Sequence, residues 1–65
     1  MFKKNEFKAQ IIRAGKTARE VAEHLGINES TLYRKVQANG NFSRDEINKL
    51  IEFLGIEDPE SIFFA

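Results

Sequence analysis

The stretch TAREVAEHLGINESTLYRKV, Thr17 to Val36, decides how this chain is read. Ala18, Val21, Ala22 and Leu25 recur at i, i+3, i+4 and i+7, so they share one face of a helix. Thr17 followed three residues later by Glu20 is a capping box, in which hydroxyl and carboxylate each satisfy a free backbone N–H. Gly26 can take the positive φ that ends a helix. Asn28 can cap the next one. In that second helix only Leu32 and Val36 are apolar, at i and i+4, which leaves Ser30, Tyr33, Arg34 and Gln37 on a broad polar face. Two short helices across a three-residue turn, the second with a narrow apolar stripe, form a helix-turn-helix. The motif spans residues 17–38, and 28–38 has the character of a helix offered to the major groove of DNA.

Size and composition narrow the function classes. Sixty-five residues suffice for one domain, 1–65, with a small core. A chain of this length buries roughly 60% of the surface it exposes when unfolded. There is no cysteine, so neither disulfides nor a thiolate zinc site can staple it. No run approaches the ~18 apolar residues of a membrane span, and MFKKNEFK lacks the apolar stretch of a secretory signal. A cytoplasmic location follows as the expectation. Net charge is zero, but its distribution is uneven. Residues 1–44 hold nine Lys/Arg against four acids, and residues 45–65 one Lys against six. A basic surface on one side and an acidic end turned from a polyanion would suit nucleic acid. Charge alone fits an ordinary mixed surface equally well.

Five helices and no strands fit the rest of the chain. The first is expected over about Lys3 to Ala14, with Phe7, Ile11 and Ala14 on one face, Ile12 beside them and Gly15 as its end. Asn39-Gly40-Asn41 is a turn with Gly40 as its left-handed residue. Ser43 and Glu46 make a second capping box, followed by Ile47, Leu50, Ile51 and Leu54 and closed by Gly55. Asp58 then caps a last short helix with Pro59 at its first position. The expected fold is all-α, a compact five-helix bundle. Phe2, Phe42, Phe53, Ile56, Ile62, Phe63 and Phe64 exceed what so small a core can take, so an aromatic patch of Ile62, Phe63 and Phe64 is expected at the C-terminal end, suited to self-association.

The Thr17–Val36 segment, with FSRDEINKLIEFLGI after it, resembles the helix-turn-helix of the Cro/C-repressor (XRE) family of phage and bacterial regulators. The resemblance runs from about Phe7 to Ala65 and rests most on the spacing of Ala22, Gly26, Leu32 and Val36 with the Ser43–Leu54 helix behind it. DPESIFFA is similar to the tails of small phage-derived members. The resemblance implies a phage-repressor-type fold of five helices, sequence-specific binding of a double-stranded operator, a homodimer and no cofactor. Three positions depart from it, one of them Tyr33, which is bulkier than the small residue often found there. Ala18 and Glu29 stand where members often have glutamine. A carboxylate suits a helix N-terminus but repels phosphate, and among major-groove groups it accepts only from cytosine N4.

In this docking geometry the candidates for base contact are Glu29, Ser30, Tyr33 and Arg34. Arg34 can donate twice to guanine O6 and N7 or anchor a phosphate. Ser30 reads a base or helps cap its helix. Tyr33 stacks on a sugar, meets a thymine methyl or covers the core edge. Gln37 only grazes the groove. The phosphate candidates are Lys16, Thr17 and Arg19 around the second helix's start, Thr31, and Lys35, Asn39, Asn41 and Arg44 around the following loop. His24 is the only histidine, so no metal site is expected; with Glu20 at i−4 it reads as surface helix support. No nucleophile triad, glycine-rich phosphate loop or small-molecule site stands out, so no enzyme is expected. An occupancy-based regulator, complete in this one domain, is the first reading. A protein-interaction module of anti-repressor kind that kept the fold and lost DNA binding is the second. The DNA-binding piece of a longer repressor is the third.

Overall fold

Helix punctuation in the sequence becomes helix boundaries in the computed structural model, which describes residues 2–64. Five helices follow in order: α1 (Lys4–Arg13), α2 (Ala18–Leu25), α3 (Glu29–Gln37), α4 (Arg44–Leu54) and α5 (Pro59–Phe63). Among the described residues there is no strand. Both capping boxes form in full: Thr17 and Glu20 start α2, and Ser43 and Glu46 start α4. Gly26 and Gly55 end the same two helices in the left-handed conformation, at φ 75° and 63°.

α2 is the hub, packed on one side against α3 and on the other against α4, while α1 packs against α5. The core joins Phe7 and Ile11 of α1, Val21, Ala22 and Leu25 of α2, and Leu32 and Val36 of α3 to Leu50 and Leu54 of α4. The whole fits within 26 × 24 × 20 Å.

Ile12, beside the apolar face of α1, is 76% exposed, because the helix turns Phe7 and Ile11 inward and leaves the next position on the flank. Two expectations are corrected. Asp58 makes no side-chain cap; Ser61 Oγ donates instead to the Asp58 carbonyl. The C-terminal aromatic patch is mostly absent. Ile62 and Phe63 are core residues, 2% and 8% exposed, and only Phe64 remains outside, 65% exposed.

The surplus aromatics are absorbed by the segment preceding α1. Phe2 is buried and meets Phe7, Phe42 and Phe63 at centroid distances of 5.5, 6.0 and 5.8 Å. The Lys3 N–H donates to the Ile62 carbonyl at 2.7 Å, tying this segment to α5. A four-ring cluster thus closes the bundle where a periodicity reading of the helices alone leaves it open.

Candidate nucleic-acid interface

The geometry of the α2–α3 turn comes from backbone hydrogen bonds. Gly26 N–H donates to the Glu23 carbonyl and Ile27 N–H to that of Ala22. Asn28, extended, accepts the Thr31 N–H at 2.8 Å through Oδ1 and so starts α3. Leu32 and Val36 anchor α3 to the core, and Ser30, Tyr33, Arg34 and Gln37 are left exposed.

The four base-contact candidates divide into two pairs. Ser30 and Arg34, four residues apart and therefore on one stripe, make no side-chain hydrogen bond or ion pair among the described residues. Glu29 and Tyr33 engage each other: the Tyr33 hydroxyl donates to Glu29 Oε2 at 3.4 Å. The carboxylate at the start of α3 therefore has a local partner, and Tyr33, 48% exposed, lies along one edge of the helix rather than on its crest.

The phosphate candidates are unequally free. Arg44 is exposed, with no ion pair among the described residues, and Asn39 and Asn41 are exposed beside it in the α3–α4 loop. Asn39 shares the left-handed conformation with Gly40, at φ 62° and 72°. Only Gly40 was expected there, although asparagine tolerates that region better than most residues. Thr31 is half-buried. Lys35 is committed: its Nζ lies 3.4 Å from Glu46 Oε1, and both side chains are largely covered. The Ser43 N–H also donates to Glu46, at 2.9 Å. That backbone donor, with the Lys35 ammonium beside it, holds the Glu46 carboxyl below its ordinary range.

At the start of α2, Thr17 Oγ1 is occupied by the Glu20 N–H. Arg19 lies 3.6 Å from Glu23 in an exposed pair that costs little to break. The Lys16 ammonium sits over the Phe53 ring, 4.9 Å from its centroid. His24 stacks on the same ring at 4.2 Å. The expected Glu20–His24 pairing gives way to this, since the Glu20 carboxylate accepts the Thr17 N–H in the capping box.

Two cations that no motif singled out lie against α3. Lys4 Nζ donates to Gln37 Oε1 at 3.4 Å. Lys8, one turn on, lines a groove of about 310 Å³ between α1 and α3, with Ile12 and Tyr33 at its rim. Their i, i+4 spacing is visible in the sequence, but the neighbour they face depends on how α1 packs. Among the described residues no three His, Asp or Glu side chains cluster as metal ligands. No described helix is long and apolar enough to cross a membrane.

A capped pair of helices set by a left-handed glycine, with the second presenting a polar, unpaired crest, is the architecture of proteins that read duplex DNA with a helix. A family model for the helix-turn-helix domain matches residues 7–61, and the chain belongs to that family, whose members are DNA-binding regulators. Comparison with curated proteins and with solved structures gives no match.

Proposed function

We propose that this protein is a sequence-specific transcription regulator of the Cro/C-repressor (XRE) type, of phage or prophage setting, acting in the cytoplasm as one domain. α3 enters the major groove, and Ser30 and Arg34 meet base edges. Lys16, Thr17 and Arg19 on one side, and Asn39, Asn41 and Arg44 on the other, hold phosphates and set the register. A homodimer places two α3 helices at half-sites about one helical turn apart. Control follows from occupancy of the operator.

The observation that carries this reading is the crest of α3. Arg34 and Ser30 stand exposed without side-chain partners among the described residues, while their neighbours Lys35 and Glu29 are occupied by Glu46 and Tyr33. An arginine left free on an otherwise tied-down helix suits bidentate contact with guanine. The experiment is selection from a pool of random duplexes, comparing the native protein with Arg34→Ala. The expected result is a palindromic motif in which the variant loses preference at one position per half-site, by roughly 10- to 100-fold. Weak binding without sequence preference, unchanged in the variant, overturns the reading.

A second reading draws on the groove between α1 and α3, whose rim carries an isoleucine 76% exposed. An apolar rim of that kind suits a protein partner. A tight protein complex sensitive to Ile12→Asp, together with an absence of salt-dependent duplex binding, would favour it.

A further inference from the structure

α1 has two differently charged sides. Lys4, Lys8 and Ile12 recur every four residues and so form one stripe, beside α3. Glu6 and Arg13 lie on the other side, where with Gln10 they line a hollow shared with Glu57 and Asp58 of the loop before α5. The acids near α1 therefore gather on the side away from α3. On the α3 side, Lys4 reaches Gln37 at the C-terminal end of the helix, and Lys8 flanks Tyr33 near its middle. The nearest carboxylate of α3, Glu29, accepts the Tyr33 hydroxyl.

The opposite edge of α3 is different. There Lys35 is spent on Glu46. Among the described residues Arg44, at the start of α4, is the free cation of that side and is already assigned to phosphate, while on the α1 edge Lys4 and Lys8 have no carboxylate partner. A helix lying in a major groove has a phosphate strand along each edge, and affinity for DNA comes chiefly from neutralising those phosphates. We propose that Lys4 and Lys8 form a backbone-contact stripe for duplex DNA, extending the interface of α3 onto α1. The inference rests on the operator-binding reading. It assigns the lysines to phosphate, so they add affinity and register and carry no sequence preference.

The test is the salt dependence of binding to two duplexes, one selected by the native protein and one of unrelated sequence. The native protein is compared with Lys4→Gln/Lys8→Gln, with Lys8→Arg and with Arg13→Gln. All three changed positions, Lys4, Lys8 and Arg13, are exposed on α1, and thermal melts by circular dichroism confirm that each variant folds. Each lost phosphate contact lowers the slope of log affinity against log salt by about 0.9. Raising salt from about 50 to about 200 mM should then cost the native protein about twelvefold more affinity than the double variant, on both duplexes alike. Lys8→Arg should keep the native slope because it keeps the charge. Arg13→Gln removes a charge on the other side of α1 and should leave the slope as it is. A native slope in the double variant overturns the lysine stripe and leaves operator binding standing. An equal fall in slope with Arg13→Gln reduces the stripe to net charge and overturns it too. If the native protein shows no salt-sensitive binding to either duplex, operator binding and stripe fail together.

Discussion

At the scale of single residues, Phe2 and Gly40 depend on each other. Gly40 has φ 72°, and a Cβ added there would overlap the Phe2 ring. Two separate penalties therefore oppose Gly40→Ala. The left-handed backbone costs an L side chain about 1–2 kcal/mol. Forcing a methyl against a packed ring costs about 1–3 kcal/mol more. The expected loss is about 2–5 kcal/mol, read from denaturant or thermal unfolding. Adding Phe2→Ala removes the obstacle, so the double variant should be less unstable than the two single costs predict. Strict additivity would mean that Phe2 can step aside and that only the backbone term matters. The turn at Asn39-Gly40 was legible from the dipeptide, but its lid was not. A phenylalanine outside any helical period gives no sign of which loop it will cover.

At the scale of elements, the helix starts were the most legible part of the chain, because capping chemistry is local. A hydroxyl three residues before a carboxylate can satisfy its own helix without help from elsewhere. Ser43 and Thr17 both do so. Asp58 does not: its backbone lies outside the extended conformation that Thr17 and Ser43 adopt, and Ser61 Oγ donates to its carbonyl. Ser43→Ala should cost about 1 kcal/mol, or roughly 4–8 °C in melting temperature for so small a domain. Asp58→Ala should stay within about 0.5 kcal/mol of the native protein. A larger loss from Asp58 than from Ser43 would reverse this ranking of the two caps.

The start of α4 also responds to pH, and the direction follows from Glu46. The Ser43 N–H, and after it the Lys35 ammonium, lower its carboxyl from an ordinary value of 4.5. A group lowered on folding binds its proton more readily when unfolded. Its contribution is therefore complete above about pH 4.5 and drains away as pH falls through the lowered native value. Glu46→Gln keeps a side chain able to cap but never carries charge. Native protein should melt above this variant at neutral pH, and the gap should close below about pH 4.5. A gap that persists unchanged to pH 3 would show that the charge contributes nothing and that shape alone holds the cap.

At the scale of the whole molecule, what the sequence makes legible depends on how far apart along the chain the interacting residues lie. The helix-turn-helix was legible because it is short-range: apolar spacing, two caps and one glycine define it. The neighbours of α3 were not, since Lys4, Lys8 and the α4 carboxylate that occupies Lys35 reach it only through tertiary packing. The burial of the C-terminal residues is not legible for the same reason. Ile62 and Phe63 follow no pattern that separates them from Phe64, yet Phe2, Phe7 and Phe42 gather Phe63 into the core. Phe64 is left over a groove with Ile47, Ile51 and Pro59. If copies of the protein meet as a dimer through the C-terminal end, Phe64 is the exposed aromatic side chain there among the described residues. Phe64→Ser should lower the melting temperature of dilute protein only slightly, because the residue is already 65% exposed. It should shift the monomer–dimer equilibrium in sedimentation toward monomer. On a palindromic duplex it should also weaken occupancy of two half-sites far more than of one, since a symmetric interface loses the same ring from both sides. Equal weakening on one and two half-sites would place Phe64 outside the dimer contact and leave the half-sites to be filled independently.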